Sequence, residues 1–149
     1  MAQGEYISPE RLENIYITHP AIGTIFVHGD STQTSLVGII GIDPEPYAVW
    51  ASKVLGRPIS PSDFESTFND PQILKALQKD LDHIANRKKL QGFEKLKAIT
   101  LAAEPFTVEN ELLTPTLKLK RAEAVKAFRK EIDTMYAKIG SKPQIAAKL

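Results

Sequence analysis

The chain has 149 residues, 42% of them hydrophobic and 25% charged, which fits one ordinary globular domain with its own core and excludes a low-complexity chain. Nineteen Lys and Arg face 18 Asp and Glu, a net charge of +1, so no global field draws the protein to nucleic acid or to a membrane surface. The absence of cysteine removes disulfides, thiolate metal sites and a Cys nucleophile. No apolar run approaches the roughly 20 residues of a membrane span, and the N-terminus lacks the basic-then-apolar pattern of a secretory signal.

Ser8-Pro9 opens the first predicted helix, with Ser8 as N-cap and Pro9 at the first helical position, where its missing N–H costs nothing. Glu10 and Glu13 follow in the early turns, where the helix dipole favours acids. His19-Pro20 ends it. Two runs rich in branched and aromatic residues follow, 21–28 and 36–42, with turn chemistry in Gly29-Asp30-Ser31-Thr32-Gln33 between them, and together they read as a hairpin. The near-continuous apolarity of the second run marks a central strand.

Asp43-Pro44-Glu45-Pro46 stops that strand, and a helix is expected over 47–55. A longer helix starts at Asp70-Pro71 and carries Ile73, Leu74, Leu77, Leu81 and Ile84 on one face. A strand is expected over 97–102, closed by Pro105, then a polar loop with Glu109-Asn110-Glu111. The last helix is expected over 121–139, with Val125, Phe128, Ile132, Met135 and Ile139 as its core stripe and Gly140 as its stop. No repeat and no βαβ period is visible. The expected fold class is α+β, a small sandwich of a hairpin plus a further short sheet packed with helices. Residues 1–140 form one domain and 141–149 a flexible tail.

Conventional sites are mostly absent. The glycines are scattered and make no phosphate loop. His19, His28 and His83 share no metal-ligand spacing and read as structural, so no metal site is expected. Ser31 and Ser35 lack a nucleophile's context, and Trp50 reads as a packing residue.

Two segments stand out: 2–14, AQGEYISPERLEN, and 109–121, ENELLTPTLKLKR. Together they resemble the C-terminal domain of acyl-CoA synthetases in the adenylate-forming superfamily, in its eukaryotic long-chain fatty acid branch. The first resembles the loop-then-helix motif after the interdomain hinge and the second the terminal motif. Their separation, about 110 residues, fits that domain. The resemblance covers residues 1–140 and implies the fold of that small domain. It places Lys118 at the family's catalytic lysine, with Lys120 and Arg121 as flanking basic residues. It places Gly4-Glu5-Tyr6 on the face that borders the CoA pantetheine tunnel after the domain rotates, where a glycine admits close backbone approach. Tyr6 either lines that face or packs locally, and Glu13 is a helix residue or an interdomain partner.

The resemblance further implies ATP with Mg2+, held mainly by an absent N-terminal large domain, and fatty acid and CoA as substrates. The family motif has Leu where Met1 stands, so the chain reads as an excised domain, a truncated product or a partial gene model. Ala147-Lys148-Leu149 resembles a peroxisomal import signal, implying a peroxisomal import receptor as partner and the peroxisome as location. The competing reading is a detached, non-catalytic domain acting as peroxisomal cargo or an interaction module. Anion binding by the basic stretch 118–130, six Lys/Arg and one Glu, ranks third; nucleic acid and a transmembrane segment are not expected.

Overall fold

A computed structural model describes residues 7–30 and 33–141, the last of these by its backbone only. The first helix, α1 (Pro9–Tyr16), begins as expected: the Ser8 hydroxyl accepts from the Arg11 N–H at 3.3 Å. The hairpin is present as β1 (Ile22–Gly29) and β2 (Leu36–Ile42), antiparallel. All seven residues of β2 are buried, as its apolar run demands of a central strand. The next helix, α2 (Pro44–Leu55), starts earlier than expected because Pro44 is itself a first-turn residue; it ends at Gly56, whose φ of 69° suits a glycine C-cap. Helix α3 (Pro71–Arg87) starts where Asp70 accepts from the Gln72 N–H at 2.8 Å.

The late strand, β3 (Leu96–Leu101), pairs with β2 in parallel, giving one three-stranded mixed sheet in the order β1-β2-β3. The α+β class holds, and the arrangement contains a parallel crossover that the sequence pattern does not disclose. Two helices and two 3-10 turns, at Phe64–Thr67 and Gly92–Glu94, fill the crossover, so no short βαβ spacing appears. A further β element is a single antiparallel bridge between Leu113 and Leu119.

The expected last helix is two: α4 (Arg121–Ala127) and α5 (Arg129–Ser141), divided at Phe128, whose ring packs 5.5 Å from that of Phe106. Gly140 does not stop the helix; glycine permits a left-handed cap but does not impose one.

Alternation along the strands sends apolar side chains to both faces. One face carries Ile25, Val27, Leu36, Ile40 and Leu101 against Leu12, Tyr47, Leu77 and Leu81 of α1 to α3. The other carries Phe26, Val37 and Ile39 against Ala124, Ile132, Met135 and Tyr136 of α4 and α5. That second cluster also takes in Phe106, Leu112 and Leu113, which anchors the base of the 103–120 loop to the sheet. In β2, Gly41 lies so close to β1 that a Cβ would collide with the Thr24 hydroxyl.

Candidate functional site

Lys118 stands on a tight turn built by its own sequence. Leu113 and Leu119 form the bridge, the Thr114 N–H donates to the Lys118 carbonyl at 2.8 Å, and the Leu117 N–H donates to the Thr114 carbonyl at 2.7 Å. Leu117 has φ 65°. These are the marks of a three-residue hairpin loop, a turn followed by one left-handed residue. Pro115 supplies the fixed φ of the first turn position, and the Thr114 hydroxyl takes the Lys118 N–H at 3.1 Å. Both Leu117 and Lys118 are exposed. Among the described residues, no carboxylate pairs with the Lys118 ammonium.

The ascending stem is held by Asn110. Its Oδ1 accepts from Thr107 N–H at 3.1 Å and Leu112 N–H at 3.2 Å, while its Nδ2 donates to the Pro105 carbonyl at 2.9 Å. The sequence marks Glu109-Asn110-Glu111 only as a polar loop. Asn110 is a side chain whose structural weight it misses, although Asn in a loop is the residue that folds onto its own backbone. Glu111 follows at φ 66°.

The descending stem is held by Arg121. Its guanidinium grips Glu13 of α1 in a fork, Nη2 to Oε1 at 2.6 Å and Nη1 to Oε2 at 3.0 Å. Glu13 Oε2 also accepts the Val27 N–H at 2.8 Å. Glu13 is thus a helix residue whose carboxylate is engaged within the domain. Arg121, at its flanking position, is paired with that carboxylate. Lys120 donates its backbone N–H to the Leu112 carbonyl at 2.8 Å, and its side chain is half-buried.

Lys118, Leu117, Glu10, Asn14 and Ile17 line an open cleft of about 400 Å³ between the hairpin and α1. The exposed Lys118 ammonium thus shares this cleft with the carboxylate of Glu10. Gly4, Glu5 and Tyr6, and the tail residues Ala147, Lys148 and Leu149, lie outside the described residues.

The histidines separate by environment. His19 is buried, its Nε2 lies 2.8 Å from Asp80 Oδ2, and its Nδ1 accepts from the Ala21 N–H at 3.1 Å. Asp80 also accepts from Trp50 Nε1 at 3.0 Å, so His19 and Trp50 tie the α1–β1 turn and α2 to α3. Burial, reinforced by the nearby Arg129 and Arg121 charges and opposed by Asp30, lowers the pKa of His28. No group of three or more His, Cys, Asp or Glu that could hold a metal ion occurs among the described residues, and none of their helices is long and apolar enough to cross a membrane.

No family model matches this sequence. Individual proteins do. The chain is 50% identical over 140 residues to Acyl-CoA ligase 891, peroxisomal, of Penicillium roqueforti, a stretch that is 91% of this chain and 20% of that protein. It is 42% identical over 149 residues to Long chain acyl-CoA synthetase 7, peroxisomal, of Arabidopsis thaliana, 100% of this chain and 21% of the relative. Its fold matches the adenylation domain of a carboxylate reductase from Mycobacterium chelonae with a TM-score of 0.73 and 27% identity, over 92% of this chain and 19% of that one. The chain is thus homologous to acyl-CoA ligases and long-chain acyl-CoA synthetases of the adenylate-forming superfamily, and spans about a fifth of their length.

Proposed function

We propose that this chain is the mobile C-terminal domain of a long-chain fatty acid–CoA ligase, which converts fatty acid, ATP and CoA to acyl-CoA, AMP and pyrophosphate. The observation that carries this reading is the Lys118 hairpin: an exposed ammonium on a backbone fixed at both stems, in a chain homologous to ligases that adenylate a carboxylate.

In the first half-reaction a carboxylate oxygen attacks the α-phosphorus and the bond to the pyrophosphate breaks. Two anions approach, and charge gathers on the α-phosphoryl oxygens and on the leaving oxygen. Lys118, reaching between carboxylate and phosphate, stabilises that charge more in the transition state than in the ground state. ATP and its Mg2+ are held mainly by the large domain. In the second half-reaction the CoA sulfur attacks the acyl carbonyl and AMP leaves. Gly4, with Glu5 and Tyr6, borders the pantetheine path in the rotated arrangement, and the domain's other face replaces the Lys118 face. Peroxisomal delivery rests on Ala147-Lys148-Leu149 and on the peroxisomal relatives.

The test is Lys118→Ala in the ligase that carries this domain. Fatty-acid-dependent ATP–pyrophosphate exchange should fall on the order of 100-fold. Thioester formation from supplied acyl-AMP should survive. Equal loss in both half-reactions, or no loss in exchange, would refute the assignment. The 149-residue chain alone should give no exchange.

A further inference from the structure

We infer that Glu13 and Arg121 are positioning residues that set the height and angle of the Lys118 hairpin against the sheet; the catalytic part of this inference rests on the function proposed above. The two residues lie 108 positions apart and make the one ion pair that joins α1 to the hairpin's descending stem among the described residues. Three features make this pair more than a surface contact.

First, the carboxylate is saturated on the side facing the protein. Two guanidinium N–H groups and the Val27 N–H converge on it, and only 12% of the Glu13 side chain remains exposed. Charge-assisted bonds in a fork fix orientation as well as distance. Second, Val27 belongs to β1, the edge of the sheet, and its N–H has no strand to take it. Glu13 therefore ties three bodies at one point: α1, the sheet edge and the stem. Third, Arg121 is the first residue of α4, where the helix dipole disfavours a cation. A base at that position is locally unfavourable, and Glu13 is the compensation the fold supplies.

The geometry then follows along a short chain. Arg121 is fixed by Glu13, Lys120 by the Leu112 carbonyl, Leu119 by its bridge to Leu113, and Lys118 by its own backbone bonds to Thr114, so the fork is the outer anchor of a continuous clamp that ends at Lys118. Releasing the fork removes the stem's tie to α1 and the sheet edge, while the cross-hairpin bonds and Asn110 continue to hold the hairpin's own shape.

The test uses Glu13→Gln, which keeps an oxygen for the Val27 N–H but removes the charge, and Arg121→Lys, which keeps the charge but removes the fork. In the 149-residue chain, exchange of the Lys120 and Leu117 amides should accelerate about tenfold in each variant, since a charge-assisted fork is worth about that factor. The Leu77 and Leu81 amides of α3 should keep their rates. In the ligase, the kcat of adenylation should fall while the KM for ATP and the thioester half-reaction hold. Unchanged hairpin amides, or equal acceleration throughout the domain, would overturn the positioning role. So would a loosened hairpin with full adenylation in a ligase that Lys118→Ala cripples. If Lys118→Ala itself leaves adenylation intact, the proposed function falls instead, and the amide rates alone decide the clamp.

Discussion

Leu117 offers a perturbation whose cost can be worked from one angle and one exposure. Its φ is 65° and its side chain is 69% exposed. Holding an L-residue in the left-handed region costs roughly 1–2 kcal/mol. Leu117→Gly removes that cost. It also raises the conformational freedom of the unfolded chain, which takes back about 0.5–1 kcal/mol. The lost contact is small: a fully buried Leu is worth about 1.5–3 kcal/mol, and only about a third of this one is covered. The terms nearly cancel, so Leu117→Gly should leave stability within about 0.5 kcal/mol. Leu117→Val keeps the strain and adds a β-branch beside the backbone, for a loss of about 1 kcal/mol. Urea midpoints and thermal midpoints of the two variants measure the contrast, roughly 2–4 °C in a domain of this size. A loss above about 1 kcal/mol in Leu117→Gly, or a Leu117→Val as stable as the parent, would show that Leu117 is held by packing and that the left-handed backbone is not what sets its cost.

Asn110→Ala should cost about 1–2 kcal/mol, because three side-chain hydrogen bonds of the ascending stem disappear together; denaturant melts of the chain check it, and Asn110→Asp should recover part by restoring the acceptor. Alkaline pH should destabilise the domain through its buried tyrosines. Burial pushes Tyr16 up to about 12, so its neutral form is favoured by folding; the stability is fully present below pH 10 and is lost as pH rises towards 12, about 3 kcal/mol in all. Urea midpoints at pH 9 and 11 should differ, and Tyr16→Phe should shrink the difference. For the tail, a fluorescent fusion ending in Ala147-Lys148-Leu149 should collect in puncta, and one extra Asp after Leu149 should leave it in the cytosol, because it moves the carboxylate and adds a charge the receptor must desolvate; puncta that survive deletion of 147–149 would sink the compartment.

Local chemistry alone determined much of this protein. Ser8-Pro9 and Asp70-Pro71 announced two helix starts, because caps and proline act within one turn of chain. The unbroken run 36–42 announced a central strand, since only a strand covered on both faces hides every side chain. The resemblance carried by 2–14 and 109–121 together pointed to the kinship now seen with acyl-CoA ligases. What tertiary structure decided lies between distant segments. The parallel seat of β3 beside β2 depends on a crossover whose direction no local pattern encodes. Glu13 looked like a dipole-compatible helix acid and Arg121 like a basic residue flanking Lys118, and their pairing was hidden because neither spacing nor composition relates residues 108 apart. Asn110 was hidden for a different reason: its bonds are local, but a polar residue in a polar loop carries no periodicity to mark it. The break of the last helix at Phe128 was likewise set by what that ring packs against, Phe106, because a stripe of apolar side chains fixes a helical face and leaves open where the helix bends.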